Sequence, residues 1–292
     1  MLFYKPTALV VVPRLLEFIM NNIELTARKT KKTKVLHRLM KFSNDLRLIH
    51  IDIRKILFRS ILANFGGKVR MIACGGAELD QRIFNYLDSV GLNIYQGYGL
   101  TESSPILTIR GMFVKSKIGV GRPLNGVELK INRPDSTGVG EIIAKAPQVM
   151  LGYYEDKEAT KAVLKKGWLY TGDLGKIGAD GNLEIVGRKK NVIIASNGKN
   201  VYPEELETLI NYSDIVKESI VSSVKKMSNI QIVATIVPEE KILNDKSLDK
   251  RLKLLIDSIN AELPEYKRVN KFIIKREEFQ KTTTLKIKRR AK

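Results

Sequence analysis

The chain has 292 residues, of which 43% are hydrophobic and 28% charged, and its formal net charge is +20. This length and composition exclude a disordered or fibrous chain and allow buried cores in more than one domain. The only cysteine, Cys74, excludes an internal disulfide and a cysteine-based metal site. The two histidines, His37 and His50, have no carboxylate at a fixed spacing, which disfavours imidazole chemistry. No run approaches the roughly 18 apolar residues that span a bilayer, so we expect a cytoplasmic protein.

Much of the positive charge lies in two clusters. Seven Lys or Arg residues lie within positions 28–41, where no acid occurs, and further basic residues lie in the tail after Glu278. Such clusters suit anionic partners such as nucleotides, coenzyme A or acidic lipid. They lack interleaved aromatic residues and a recognition-helix pattern, so we expect no nucleic-acid partner. We expect instead peripheral contact between residues 28–41 and an anionic membrane.

The first predicted elements alternate between helix and strand. Helical spacing of apolar residues follows Pro13 and resumes from Leu46 to Ile61. Residues 68–74 then predict a buried strand, residues 79–90 a helix ended by glycine, and residues 93–96 a strand leading into a glycine-rich turn. This order predicts an α/β domain over residues 1–116, with a ligand site at its strand ends.

The pattern changes twice more along the chain. From 117 to 187, short β runs separated by Gly, Asp and Asn predict a small β-barrel-like subdomain. From 188 to 292, a helix beginning at PEELE (203–207), two strands, a helix near 246–260 and a further strand predict a compact α+β domain. The expected fold class is therefore α/β: a partial α/β N-terminal domain, a β-barrel-like subdomain and an α+β C-terminal domain.

One turn, GYGLTESSP (97–105), combines groups that suit a nucleotide. Its glycines allow a tight turn and a close approach by a ligand, and Tyr98 offers a flat face for stacking. Thr101 and Glu102 supply oxygen ligands of the kind that Mg²⁺ prefers. Taken alone, the same residues fit an ordinary surface turn equally well.

Five segments in a fixed order carry a resemblance to a known family. They are CGGAEL (74–79), YQGYGLTESSP (95–105), WLYTGDLG (168–175), GRKKNVIIASNGKNVYPEELE (187–207) and KTTTLKIKR (281–289). Together they resemble the adenylate-forming superfamily of acyl-CoA synthetases, peptide-synthetase adenylation domains and luciferases. The opening KPTALVVVPRLLEFI, the basic helical insert and SNGKNVYPEE are most similar to long-chain fatty acid CoA ligases.

The resemblance implies a nucleotide site in the first two segments. Adenine would lie against the 75–78 turn and stack on Tyr98, while Thr101 contacts phosphate and Glu102 holds Mg²⁺. The residues expected to bind the nucleotide here are Gly75, Gly76, Ala77, Glu78, Gln96, Gly97, Tyr98, Gly99, Leu100 and Thr101.

The later segments imply further roles. Asp173 and Arg188 would bind the ribose, and Lys190 would be the hinge about which the C-terminal domain rotates. Gly198 would leave a passage for the pantetheine arm of coenzyme A. Lys286 would bridge the carboxylate substrate and the α-phosphate, which makes Lys286, Thr101 and Glu102 the expected catalytic residues.

The resemblance implies an AMP-forming acid–thiol ligase of fatty acid metabolism. Fatty acid and ATP would give acyl-adenylate and pyrophosphate, and the thiol of coenzyme A would then give acyl-CoA and AMP. The expected cofactors are ATP and Mg²⁺, with coenzyme A as a substrate. The C-terminal domain would rotate between the two half-reactions.

The sequence also departs from the family. The Ser/Thr/Gly-rich phosphate-binding loop is absent, so we expect a truncated C-terminal portion whose partner is the missing N-terminal half. Leu285 stands where many members have glycine, and Gln280 where proline is common. The alternatives are a non-catalytic nucleotide-binding remnant, one half of a split enzyme, and an acyl–carrier-protein or aryl-CoA ligase.

Overall fold

The computed structural model describes residues 2–77, 79–111, 119–226, 229–282 and 287–289. The chain divides into two compact units. The first comprises Met1–Lys130, Ile143–Thr171 and Ile177–Glu184, and the second comprises Ile131–Ile142, Gly172–Lys176 and Ile185–Lys292. The domain boundaries expected at 116/117 and 187/188 stay predictions.

The first unit contains a sheet that begins with three parallel strands. The strands are β1 (Ala8–Val11), β2 (Met71–Cys74), β3 (Ile94–Tyr98), β4 (Thr108–Arg110) and β5 (Arg122–Pro123), in the order β1-β2-β3-β4-β5. β1 to β3 are parallel, and β4 and β5 continue antiparallel. The helices are α1 (Pro13–Lys29), α2 (Thr33–Leu48), α3 (Arg54–Leu57), α4 (Arg59–Ala63) and α5 (Gln81–Ser89).

Local signals mark where these helices begin and end. Pro13 is the first residue of α1, a position at which its missing N–H removes no helical hydrogen bond. The Asp80 side chain accepts a hydrogen bond from the Arg82 backbone N at 2.7 Å and caps α5. Gly91, with a φ of +90°, follows the end of α5. The predicted helix after Pro13 and the predicted helix of residues 79–90 are confirmed.

The parallel strands are covered by helices on one face. Strand register aligns Leu9 with Ile72 and Ile94, and this face packs with Leu16 and Leu87 of the helices in one apolar core. On the opposite face Val10 is 89% exposed, and Ala73 and Tyr95 lie beside it in register. Parallel strands are usually buried on both faces. Within the described residues, therefore, this sheet has one open face and an unpaired edge at β1.

A buried arginine joins the helices of the first unit. Arg54 is 2% exposed and donates to Asp52 and to both the carboxylate and the backbone carbonyl of Asp88, at 2.6 to 2.9 Å. Asp88 also accepts from Arg47 of α2 at 2.6 Å. Hydrogen bonding to Arg54 lowers the pKa of Asp52 to about 2. These contacts fix the start of α3 and the side of α2 against the end of α5.

A second sheet contains the residues for which a barrel was expected. Its strands are β6 (Glu128–Asn132), β7 (Gly140–Lys145), β8 (Leu164–Lys165), β9 (Trp168–Ile177) and β10 (Leu183–Arg188), and helix α6 (Lys157–Val163) precedes β8. The order is β10-β9-β7-β6, with β8 paired to β9. The barrel-like expectation is wrong for the described residues, because β10 and β6 end the sheet without closing it. Four strands and a two-residue ribbon are too few to enclose a packed interior.

The second unit has an α+β core of its own. Its elements are β11 (Ile193–Ile194), β12 (Asn200–Val201), α7 (Pro203–Asn211), β13 (Val216–Lys226), β14 (Asn229–Pro238), α8 (Leu248–Glu262) and β15 (Lys271–Ile274). β14 lies between antiparallel β13 and parallel β15. Leu206 of α7 and Leu252 of α8 pack on Val221 and Ile236 of this sheet. In the described parts of the chain, no helix has the length and apolar character that a membrane crossing requires.

Candidate functional site

Two of the motif turns lie at neighbouring strand ends in the first unit. β2 and β3 are parallel and adjacent, with Cys74 opposite Gln96, so the segments that follow them leave the same edge of the sheet. A Cβ on Gly75 would stand 3.5 Å from the carbonyl O of Gly97. Gly76 has a φ of +84°, a conformation that favours glycine. Ala77 is exposed beside it, and Glu78 lies outside the described residues.

The turn after β3 is closed by its own hydrogen bonds. The Leu100 backbone N donates to Ser103 Oγ, which donates in turn to the Leu100 carbonyl, both at 3.0 Å. A Cβ on Gly99 would lie 2.0 Å from the carbonyl O of Pro105. The turn itself therefore requires glycine at position 99, whether or not a ligand approaches it.

Tyr98 and Gln96 point toward the core face of the sheet. They alternate with Gly97 on the same side as Ile94, and both are buried, with Tyr98 8% exposed. The ring expected to stack on a base is therefore covered in this structure. Tyr95, on the other face, is half-buried.

Glu102 is held from a distant part of the same unit. Its Oε1 accepts a hydrogen bond from the Tyr153 phenol at 2.8 Å, and its carbonyl accepts from the Met150 backbone N at 2.9 Å. The hydrogen bond to Glu102 is the main cause that raises the pKa of Tyr153. Thr101 is exposed beside Glu102. Tyr153 could not be identified from the sequence, because the residue it contacts, Glu102, lies 51 positions away along the chain.

In the second unit, the two residues expected to bind ribose form an ion pair. Asp173 lies on β9 and Arg188 ends the adjacent β10, and Arg188 Nε is 3.0 Å from Asp173 Oδ1. The Asp173 side chain is 6% exposed and that of Arg188 is 45% exposed. The carboxylate is thus oriented by a guanidinium that stays partly open to solvent.

The expected hinge residue lies in a short turn that follows β10. Lys190 is exposed in the turn Lys189–Asn191, between two residues that contact acids of the same unit. Lys189 Nζ is 2.8 Å from Glu141 Oε2, and Asn191 Nδ2 donates to Glu204 Oε1 at 2.5 Å. Gly198, with a φ of +77°, lies in the tight turn between β11 and β12, and a Cβ there would meet open space.

Lys286 lies outside the described residues, whereas the residues around it are anchored to the second unit. Lys281 and Ile287 form an antiparallel bridge, and the Lys288 backbone N donates to the Gln280 carbonyl at 2.7 Å. Lys281 Nζ is 2.8 Å from Glu218 Oε2 on β13. Arg289 binds the Glu207 carboxylate on α7 and donates to the Val221 carbonyl at 3.2 Å.

Burial alters the acidity of Glu207 and of Cys74. Burial raises the pKa of the Glu207 carboxyl to about 7, against the opposing charge of Arg289. Burial likewise raises the pKa of the Cys74 thiol to about 11, so this thiol stays protonated at neutral pH. The described residues contain no group of three or more His, Cys, Asp or Glu side chains that could hold a metal ion. A cation at Glu102 would therefore need most of its ligands from water or a bound phosphate.

Comparison with curated proteins finds ligases of similar sequence. The chain is 34% identical over 232 residues to the long-chain-fatty-acid–CoA ligase FadD15 of Mycobacterium bovis. The aligned region covers 75% of this chain and 38% of that protein. It is 35% identical over 229 residues to the long-chain-fatty-acid–CoA ligase of Yersinia pestis, and this aligned region covers 76% of this chain and 39% of that protein. The chain thus spans well under half the length of these curated relatives.

Solved structures and family matches agree with this result. One similar solved structure is that of o-succinylbenzoate coenzyme A synthetase from Bacillus subtilis in complex with ATP and magnesium ion. The superposition covers 98% of this chain and 51% of the synthetase chain, with a TM-score of 0.72 and 22% sequence identity. This likeness shows the shared mixed α/β fold. Residues 3–154 match the AMP-binding enzyme family and residues 190–292 match the AMP-binding enzyme C-terminal domain. The chain therefore belongs to the AMP-binding enzyme family.

Proposed function

We propose that this chain is the C-terminal portion of an AMP-forming long-chain fatty acid CoA ligase, which converts fatty acid, ATP and coenzyme A to acyl-CoA, AMP and pyrophosphate. The observation that carries the proposal is its 34 to 35% identity, over three quarters of the chain, to two proteins named for that activity. The solved relative named for an aromatic substrate is only 22% identical, so it supports the fold and not an aryl-CoA ligase.

In the first unit, we assign the nucleotide to the strand ends. A flat base would lie against the backbone of Gly75 and Gly76, and the other residues that we assign to it are Ala77, Gln96, Gly97, Gly99 and Leu100. Thr101 would contact phosphate. A stacking role for Tyr98 requires that its buried ring become accessible in the complete protein, where stacking on a base would contribute roughly 1–3 kcal/mol.

Glu102 fits a magnesium ion that comes with the nucleotide. Its Oε1 is occupied by Tyr153, and Oε2 has no partner among the described residues. A single carboxylate oxygen together with phosphate oxygens suits Mg²⁺, which is commonly bound through one or two carboxylates and the substrate phosphates. Such an ion would neutralise charge on the phosphates during attack by the fatty acid carboxylate.

In the second unit, Asp173 and Arg188 supply the groups for a ribose. A carboxylate accepts hydrogen bonds from ribose hydroxyls, and the partly exposed guanidinium has further donors beside it. Lys286 would stabilise charge at the α-phosphate, Lys190 would act as the hinge, and Gly198 would admit the pantetheine arm of coenzyme A. These three roles rest on the family motifs.

We infer that a complementary N-terminal portion, in the same polypeptide or a separate one, covers the open side of the first sheet. β1 has an unpaired edge, and the face bearing Val10 is uncovered over the described residues. An exposed parallel edge with apolar residues favours addition of strands. The chain also covers only about half of the solved relative.

We also propose peripheral contact with anionic membrane. The seven basic residues of positions 28–41 are all exposed on α1, α2 and the turn between them. Each Lys or Arg near an anionic surface contributes about 1 kcal/mol of attraction. Sedimentation with phosphatidylserine liposomes should fall when these residues are replaced by serine, and unchanged sedimentation would refute the contact.

The test of the ligase proposal uses the chain alone and the chain produced together with the N-terminal segment of the Mycobacterium bovis relative. We expect the pair to catalyse fatty-acid-dependent exchange of pyrophosphate into ATP and to form acyl-CoA. Asp173→Asn should reduce the exchange at least tenfold, whereas Asp214→Asn, at an exposed position, should not change it.

Analogue binding by the chain and turnover by the reconstituted pair together separate the alternatives. Binding of a non-hydrolysable acyl-adenylate analogue without turnover in the reconstituted pair would favour a nucleotide-binding remnant. Transfer of the acyl group to an acyl carrier protein in preference to free coenzyme A would show that the carrier protein is the acceptor. Absence of both analogue binding and turnover would refute the proposal.

A further inference from the structure

Two contacts connect the loop that follows β3 to the segment before α6. The phenol of Tyr153 donates to Glu102 Oε1 at 2.8 Å, and the Met150 backbone N donates to the Glu102 carbonyl at 2.9 Å. Glu102 is therefore held both by its main chain and by its carboxylate. Neither Tyr153 nor Met150 belongs to the segments from which roles were inferred.

The backbone at Tyr153 is itself fixed to α6. The Tyr153 N donates to Thr160 Oγ1 at 2.9 Å, and Thr160 Oγ1 donates to the Asp156 carbonyl at 2.7 Å. Asp156 caps the helix by accepting from the Ala159 N at 2.8 Å. A Cβ on Gly152 would lie 2.9 Å from the Thr160 side chain, so the chain passes close to the helix at this point. These contacts restrain the backbone that carries the Tyr153 phenol.

The chemistry of the pair makes the two carboxylate oxygens unequal. The phenol of Tyr153 carries an O–H donor, whereas a carboxylate can only accept, so the hydrogen bond runs from Tyr153 to Oε1. Oε1 therefore accepts a hydrogen bond, while Oε2 is without a partner among the described residues. A carboxylate restrained in this way loses less rotamer freedom when it binds a cation.

We propose that Tyr153 is a positioning residue that holds the Glu102 carboxylate through Oε1 and thereby leaves Oε2 directed to the divalent cation of a bound nucleotide. The inference rests on the proposed function of Glu102. It assigns to Tyr153 an effect on metal-dependent binding and none on binding of the metal-free nucleotide.

The neighbouring Tyr154 provides a matched control, because it is 90% exposed. Binding of ATP to the full chain is measured by calorimetry with Mg²⁺ and with EDTA for the wild type, Tyr153→Phe, Tyr154→Phe, Glu102→Gln and the double variant of Tyr153 and Glu102. Tyr153→Phe should reduce the enhancement by Mg²⁺ about fivefold to tenfold and leave metal-free affinity unchanged. Tyr154→Phe should change neither, and Tyr153→Phe should add nothing in the Glu102→Gln background.

A second measurement decides the pairing independently of nucleotide binding. In urea unfolding, the midpoint shifts of Tyr153→Phe and Glu102→Gln should be non-additive in the double variant. Additive shifts would overturn the proposal even if the chain binds no ATP, an outcome that would count separately against the proposed function. Equal weakening of metal-free and Mg²⁺-dependent binding by Tyr153→Phe, or a full effect in the Glu102→Gln background, would also overturn it.

Discussion

Arg188 and Asp173 form an ion pair across two adjacent strands, with 3.0 Å between the guanidinium Nε and the carboxylate Oδ1. The carboxylate is almost fully buried, whereas nearly half of the arginine side chain is exposed. Burial without a partner would penalise the ionised carboxylate, and the ion pair with Arg188 offsets this penalty and orients Asp173. A ligand hydroxyl would then meet an acceptor that needs no rearrangement.

Replacing Arg188 by glutamine should therefore weaken binding of an acyl-adenylate analogue to the chain by about tenfold, the loss typical of one charge-assisted hydrogen bond. Arg188→Lys keeps the charge but lacks the planar fork, so its affinity should be intermediate. Arg276→Gln, at an exposed position, serves as the control. Calorimetry gives the affinities, and equal values for Arg188→Gln and the control would contradict the role.

Lys286 and Lys190 should divide the two half-reactions between them. In the reconstituted pair, Lys286→Ala should reduce pyrophosphate exchange by about two to three orders of magnitude, because one preorganised charge at the α-phosphate is lost. Thioester formation from pre-made acyl-adenylate should change far less. Lys190→Pro should do the reverse, since a φ fixed near −65° obstructs rotation at the hinge. Equal loss of both half-reactions in both variants would refute this division.

The buried Arg54 should be a major contributor to the stability of the first unit. Arg54→Met leaves the carboxylates of Asp52 and Asp88 without their shared partner, and breaking a buried ion pair costs about 3–5 kcal/mol. Arg59→Met, at an exposed position, should change the free energy of unfolding by less than about 0.5 kcal/mol. Urea unfolding measures both, and a cost below about 1 kcal/mol for Arg54→Met would contradict this account.

Glu207 should make stability depend on pH near neutrality. The pKa of Glu207 in the folded protein, about 7, lies above the ordinary value of 4.5. Its contribution to the free energy of unfolding is therefore fully present below pH 4.5 and is lost as pH rises through 7. Glu207→Gln lacks this loss, which is on the order of 3 kcal/mol. Relative to the wild type, the variant should therefore gain stability between pH 5 and 8 in urea unfolding. Exposed Glu262→Gln is the control, and parallel pH curves for Glu207→Gln and the wild type would contradict the prediction.

The features that sequence predicted well depend on local signals. Pro13, Gly91 and Pro203 each mark a helix boundary through their own backbone geometry, and the structure confirms the helices that they delimit. The order of five motifs was likewise visible in the chain and agrees with the family that the comparisons show. Asp173 and Arg188 lie side by side because β9 and β10 pair, and the sequence pattern did not specify that pairing.

The features that sequence missed depend on contacts between distant residues. Tyr153 meets Glu102 across 51 residues, and His37 meets Glu24 at 2.6 Å across 13 residues, although no partner for this histidine was evident from its neighbours. The barrel was wrong because alternating short strands fix neither the number of strands in a sheet nor whether its edges meet. The role of Gly99 was also incomplete, since its small size is required by the Pro105 carbonyl.

Cys74 has a consequence for how movement in this protein can be followed. It is the only thiol in the chain, it is 2% exposed, and its raised pKa of about 11 leaves almost no reactive thiolate at neutral pH. A cysteine introduced at the exposed position of Tyr154 or of Lys190 would therefore react with a maleimide dye while the native thiol stays unmodified. Fluorescent or spin labels can thus be attached at a chosen position without first replacing Cys74 in the core.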